Sequence, residues 1–295
     1  MEAPVNVAIS APADRKPRDD EIDVHGLTHT GSVRPANQDH FLVCSLRKKM
    51  DIHLTSLPDI EKLPLLAERL AFLAMVADGV GGRAAGEAAS RLALEVITRY
   101  VTHGMRCYYT ADAQDDRAFL DALTEAAMQC HASVIDQAER QPELHGMATT
   151  LTVYLGVWPR AYLLQVGDSR GYLLRGDDLT QISRDQTMAQ ELIDAGVIAR
   201  AEASRTRWAH TLSSAIGGSQ TAPVVTRIDM AWGNVVLLCS DGLTKHVPDE
   251  RIRERLRTMT SARQACSDLL QDALDGGGSD NITIIVGRPM RQDAA

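Results

Sequence analysis

From Val24 onward the chain breaks into short apolar runs separated by polar or glycine-rich stretches. Val24 to Thr30, Phe41 to Leu46 and Leu70 to Ala77 have β character, and the third is apolar at every position, as in a strand covered on both faces. Residues 47–69 are interrupted by Pro58 and Pro64 and read as a loop with one helical turn. A helical period follows over Ala84 to Val101, where Ala85, Ala89, Leu92, Val96 and Tyr100 recur every three or four residues and Gly104 supplies a stop. A second helix over Asp116 to Glu139 places Phe119, Leu123, Ala126, Cys130, Val134 and Ala138 on one stripe.

The pattern then returns to strands at Thr150 to Val157, Ala161 to Val166 and Gly171 to Leu174, with the turn pairs Gly167-Asp168 and Gly176-Asp177. This predicts an antiparallel meander. Residues 183–218 are mixed and polar with one helix from Met188 to Ala195, an excursion from the sheet. Val235 to Cys239 and Ile282 to Gly287 are buried-type strands, with helices near Asp249 to Met259 and Ala262 to Leu274 between them. Helices and strands in blocks, without βαβ alternation, predict a layered α+β domain.

The 295 residues suit one such domain, expected over 23–288. Residues 1–22 carry Pro4, Pro12, Pro17 and a charged cluster and are expected to form a flexible tail, as are 289–295. Aromatic residues are only 4% and the formal net charge is -8, which argues against nucleic-acid and anionic-membrane partners. No apolar run is long enough to span a bilayer and no signal peptide is expected. Five scattered cysteines, Cys44, Cys107, Cys130, Cys239 and Cys266, with no Cys-x-x-Cys pair, read as buried thiols in a reducing cytoplasm.

The candidate chemistry lies in aspartates at strand ends. Asp78 closes a strand in Asp78-Gly79-Val80-Gly81-Gly82, Asp241 closes another in Ser240-Asp241-Gly242, and Asp280 opens a third after Gly276-Gly277-Gly278-Ser279. Each alone also reads as an ordinary Asp turn. Together, carboxylates in one pocket raise one another's pKa unless a cation neutralises them, and an all-oxygen set selects Mg²⁺ or Mn²⁺ over Zn²⁺. Asp39 precedes another strand and lies five residues beyond Arg34, whose planar guanidinium could bind two phosphoryl oxygens; a surface arginine and a strand-start aspartate are the alternative.

Six motifs, in order, resemble the metal-dependent type 2C (PPM) family of Ser/Thr protein phosphatases, bacterial type. They are Arg34 to Asp39, Asp78 to Gly82, Gly146-Met147-Ala148-Thr149-Thr150, Gly167-Asp168-Ser169-Arg170, Ser240-Asp241-Gly242 and Ser279-Asp280-Asn281. The resemblance implies a four-layer αββα sandwich of two antiparallel sheets flanked by helix pairs, with a binuclear Mn²⁺ or Mg²⁺ centre at one end. Asp78, Asp241 and Asp280 would ligate the metals, Asp78 bridging them. The Gly79 carbonyl would add a ligand, Asp39 would ligate or hold metal-bound water, and Asp168 would help bind a third, weaker ion. Arg34 would clamp the substrate phosphate, residues 183–218 would form the flap, and a metal-activated water would attack phosphorus without a protein nucleophile. The implied partners are phosphoproteins and a cognate Ser/Thr kinase system, with the chain a cytoplasmic monomer.

Two positions and one segment depart from the family. Val80 stands where eukaryotic relatives carry a histidine assigned as general acid, Gln38 stands where some relatives have Glu, and the flap is only loosely family-like. A regulatory binding module with the same fold, or a partner-switch phosphatase, is the competing reading. His25 and His29 fall on a strand, where their spacing does not favour a zinc site. Arg251, Arg253, Arg255 and Arg257 read as a solvated helix face with ion pairs.

Overall fold

A computed structural model describes residues 15–49, 54, 68–103, 116–203 and 206–291. The first half contains β1 (Ile22–His29), β2 (Asp39–Lys48), β3 (Glu68–Val80), α1 (Arg83–His103) and α2 (Asp116–Arg140). The meander follows as β4 (Ala148–Thr149), β5 (Leu151–Val157), β6 (Arg160–Val166), β7 (Arg170–Arg175) and β8 (Asp178–Gln181). The excursion carries α3 (Met188–Asp194) and α4 (Arg200–Ala203), and the chain closes with β9 (Val224–Asp229), β10 (Val235–Cys239), α5 (Asp241–Thr244), α6 (Asp249–Arg257), α7 (Ala262–Asp275) and β11 (Ile282–Pro289).

The strands form two antiparallel sheets, ordered β1-β11-β10-β7-β8 and β2-β3-β5-β6-β9, with β4 added beside the end of β3. Three apolar interfaces hold four layers together. Buried residues of α1 and α2, including Ala89, Ala93, Ile97, Leu123 and Cys130, pack on Leu73, Met75, Leu155 and Leu164 of the second sheet. Ile252, Leu256, Ala265 and Leu269 of α6 and α7 pack on Leu237, Ile282 and Ile284 of the first. Between the sheets lie Ala74, Val76, Leu163, Val236, Leu238 and Ile285. Alternate residues of β3 and β10 therefore serve opposite apolar faces, which is why these strands lack polar alternation. This is the expected αββα sandwich.

Differences from the sequence reading are local. The strands β8 and β9 and the short helices α4 and α5 were not expected. β9 reads Val-Val-Thr-Arg-Ile-Asp on the edge of its sheet, where only Ile228 is buried, so it lacks the apolar signal of a central strand. In the described part of the expected tail, Arg15 pairs with buried Glu21, Asp19 with Arg47 and Arg69, and Lys16 donates to the Arg69 carbonyl. β11 continues to Pro289, two residues past the predicted run. The loop expected over 47–69 gives way at its ends to β2 and β3, and its middle, like Gly104 and Cys107, lies outside the described residues. Cys130, Cys239 and Cys266 are buried free thiols, but Cys44 is only half-buried.

Candidate metal centre

The site lies at one end of the sandwich, where β2 begins and β3, β6 and β10 end. Antiparallel pairing sets Asp39 of β2 directly opposite Asp78 of β3. β3 does not stop at Asp78; it runs two residues further, and Gly79 and Val80 pair with Thr149 and Ala148 of β4. The Asp78 backbone is clamped there, since its carbonyl accepts from Thr149 Oγ1 at 2.8 Å and Thr150 N at 2.9 Å, and its N–H donates to Thr150 Oγ1 at 3.0 Å. Gly79 is required by crowding, because a Cβ there would strike the Gly86 carbonyl and lie 2.8 Å from the Gln38 carbonyl.

Asp168 follows Gly167, whose φ of +99° makes the turn from β6 toward β7. Asp241 is the first residue of α5 rather than the last of a strand, and Asp280 precedes β11 by two residues. The Arg34 loop is fastened to the Asp280 loop. Gly31, at φ +80°, packs on the Gly278 and Asp280 carbonyls, Ser32 N donates to Gly278 O at 2.7 Å, and Asn281 Nδ2 donates to the Thr30 and Ala36 carbonyls at 2.9 Å each.

The five aspartates are drawn from both sheets and converge on one cleft. A cavity of about 500 Å³ is lined by Arg34, Asp78, Gly79, Asp168, Asp241 and Asp280, among others. Asp39 is buried beneath it, with Oδ2 accepting from Thr283 Oγ1 at 2.7 Å. Among the described residues, Asp39 Oδ1 and Asp241 Oδ1 are buried with no hydrogen-bond partner. Two side-chain cations serve one edge of the cluster. Arg34 holds both oxygens of Asp280 at 2.8 and 2.9 Å, and Lys245 Nζ reaches Asp241 Oδ2 at 2.6 Å and Asp280 Oδ2 at 2.7 Å.

That uneven supply of positive charge divides the carboxyls. Burial, with further repulsion from Asp39, Asp241, Asp168 and Asp280, pushes Asp78 well above the ordinary carboxylate range. Burial and then Asp241 push Asp168 up to about 8. Burial raises Asp39 to about 6 against the opposing Thr283 hydrogen bond. Burial would raise Asp280 too, but Arg34 and Lys245 outweigh it and hold its pKa below the ordinary value.

Every residue expected at the centre, Arg34, Asp39, Asp78, Gly79, Asp168, Asp241 and Asp280, lies at this end of the sandwich. Arg34 faces Asp280 here, with its side chain about half exposed. Two residues were missed. Lys245 is four residues beyond Asp241, a spacing that the Asp241 helix start would have flagged. His210 comes from the excursion, with Nδ1 3.9 Å from Asp241 Oδ2, and forms with Asp168 and Asp241 a group able to hold a metal ion. Only long-range folding brings it there. By contrast, His29 Nδ1 accepts from Gly31 N at 2.9 Å, which gives that ring a local structural role.

The sequence profile described as protein phosphatase 2C matches residues 66–276. The chain belongs to the protein phosphatase 2C family. Within that family, the serine/threonine protein phosphatase PstP of Mycobacterium tuberculosis is 38% identical over 214 residues, 72% of this chain but 40% of PstP, so the chain spans less than half the length of that relative. The serine/threonine phosphatase stp of Listeria innocua is 30% identical over 222 residues, 72% of this chain and 83% of stp. The crystal structure of M. tuberculosis PstP/Ppp superposes with a TM-score of 0.73 at 32% identity, covering 92% of this chain and 99% of that one. A PstP catalytic domain in complex with 2 manganese ions gives 0.70, also at 32% identity and with 92% and 99% covered. The two-sheet fold is thus that of the 2C phosphatases.

Proposed function

We propose that the chain is a metal-dependent serine/threonine protein phosphatase that hydrolyses phosphoserine and phosphothreonine on proteins. The observation that carries this reading is the convergence of Asp39, Asp78, Asp168, Asp241 and Asp280 on a cleft with Arg34 at its edge. The donor set fits hard divalent ions. It is dominated by oxygen, two buried carboxylate oxygens have no partner among the described residues, and burial and mutual repulsion disfavour the charged forms of Asp78 and Asp168. Asp39, Asp78, the Gly79 carbonyl, Asp168, Asp241 and Asp280 would hold the ions.

Bound Mn²⁺ or Mg²⁺ would acidify a water and offset charge developing on the phosphoryl oxygens. The chain's own contribution is positioning. Thr283 orients Asp39, and the Thr149 and Thr150 contacts fix the Asp78 backbone. Arg34, at the cleft edge, would turn its guanidinium from Asp280 to the substrate phosphate. Residues 183–218 act as the flap that selects the protein substrate; their base is anchored by the Arg170–Asp185 fork, with Nη2–Oδ2 at 2.6 Å, and by Gln186 Oε1, which accepts from Gly167 N at 2.9 Å. Exposed Val80 carries no proton donor, so it has no part as general acid.

The substrates would be products of a Ser/Thr kinase, with the chain acting as a cytoplasmic monomer. No helix among the described residues is long and apolar enough to cross a membrane. A second reading, a binding module that keeps the fold without turnover, is favoured by Lys245 and Arg34 already pairing with Asp241 and Asp280. Hydrolysis of a phosphothreonine peptide with and without Mn²⁺ separates the two. The phosphatase reading expects release of phosphate with added Mn²⁺ and none with excess chelator. Chelator-resistant release contradicts it, and tight Mn²⁺ binding without any turnover favours the module. Comparison of the phosphoproteomes of cells carrying wild type or Asp241→Asn would distinguish a partner-switch target from general kinase reversal.

A further inference from the structure

Lys245 sits where a metal centre has least use for an ammonium. It caps the short helix that Asp241 opens, and its N–H donates to the Asp241 carbonyl at 2.8 Å, so the two side chains leave the same turn. Its Nζ lies 2.6 Å from Asp241 Oδ2 and 2.7 Å from Asp280 Oδ2, and the side chain is only 18% exposed. Asp280 is moreover gripped through both oxygens by Arg34. The ammonium thus spans two carboxylates that meet at one end of the antiparallel β10–β11 pair, Asp241 just after β10 and Asp280 just before β11. Beside it opens a second cavity of about 420 Å³, lined by Asp168, Asp185, Gln190, His210 and Lys245 itself.

We propose that Lys245 is a tethered cation that competes with a divalent ion for the Asp241–Asp280 carboxylate pair, so that loading this edge of the centre requires the ammonium to swing out toward Asp168. This rests on the metal-centre reading above and deepens it. A divalent ion and an ammonium cannot share Asp241 Oδ2 and Asp280 Oδ2 at contact distance without strong repulsion in a poorly hydrated cleft. The neighbouring cavity gives the displaced side chain room, and its four-carbon stem keeps it near Asp168, which no other cation neutralises at contact distance among the described residues. Lys245 is a positioning residue: it acts on the metal through the ligands it shares with it. In the metal-free chain it stabilises the fold, and in the loaded chain its displacement lowers the affinity of one site.

The test is calorimetric titration of Mn²⁺ into the metal-free full chain, paired with melting curves with and without Mn²⁺. Lys245→Met removes the charge and keeps the length, Lys245→Gln keeps a polar head, and Lys245→Arg retains the charge. At least one Mn²⁺ site of the Met and Gln variants is expected to tighten by about tenfold or more. Their metal-free melting temperature falls while the Mn²⁺-saturated one does not, and Lys245→Arg behaves like wild type. A residue that merely props up the fold would lower both melting temperatures and leave affinity equal or weaker, and that result overturns the proposal. Unchanged affinity in both neutral variants overturns it as well. Absence of Mn²⁺ binding by wild type and all three variants overturns instead the metal-centre reading on which it depends.

Discussion

The same residue type meets opposite fates in two regions of the molecule. On the outer helical layer, Asp272 of α7 receives two forked arginines from α6: Arg255 at 2.7 and 2.8 Å and Arg251 at 2.9 and 3.1 Å. Its pKa is lowered to about 2, chiefly by the Arg255 hydrogen bonds. At the cleft, Asp168 has no such partner among the described residues, and burial pushes it up to about 8. One site is an ion pair that needs nothing further. The other is a set of carboxylates in which burial disfavours the charged forms of Asp39, Asp78 and Asp168, and that difference separates a structural acidic cluster from a candidate ligand set.

Substitution at the two sites is expected to act in opposite directions. The largest effect expected is from Asp78→Asn, with phosphopeptide turnover in Mn²⁺ falling by about a hundredfold or more, while the metal-free protein melts at an equal or higher temperature because repulsion is relieved. Steady-state rates and melting curves on the same preparation check both halves. Arg34→Ala is expected to lower kcat/KM for a phosphopeptide by roughly tenfold to a hundredfold through lost phosphate binding, without changing Mn²⁺ stoichiometry. Retention of full activity would remove Arg34 from the site.

Acidity sharpens the contrast. Asp39 and Asp168 have folded-state values of about 6 and about 8, above the ordinary 3.8, so the folded chain binds more protons than the unfolded chain across that interval. Stability of the metal-free protein is therefore expected to fall as pH rises from 5 to 9, and saturating Mn²⁺ should reverse the trend; melting temperatures across that range decide it. Asp272 works the other way, contributing stability that is lost only as pH falls from about 4 through about 2. The smallest effect follows at that site. Asp272→Asn is expected to lower the melting temperature by a few degrees at most, with turnover unchanged, because the pair lies near solvent.

The layers of the fold were legible because packing rewards periodicity. The stripe Phe119, Leu123, Ala126, Cys130, Val134 is the buried face of α2, and the unbroken apolar run of β3 serves two interfaces. The edge strands β1 and β2 were legible from their apolar runs, but β8 and β9, with short polar-rich sequences that bury none and one residue, were not. Within the site, Asp78 and Asp241 announced themselves through the glycine that follows each, and Asp280 through the Gly276-Gly277-Gly278 run before it. What decides their electrostatics is nonlocal. Thr283 reaches Asp39 across 244 positions and Lys245 reaches Asp280 across 35, and neither contact leaves a mark in the local pattern. His210 likewise enters only through the path of the excursion.

Anomalous scattering from crystals of the full chain grown with Mn²⁺ decides whether the aspartate cleft holds the ions. Two strong peaks are expected in the cleft, both in contact with Asp78 and at least one with Asp241. A cleft without peaks at saturating Mn²⁺, with Asp78 and Asp241 bonded only to protein and water, would contradict the metal-centre reading.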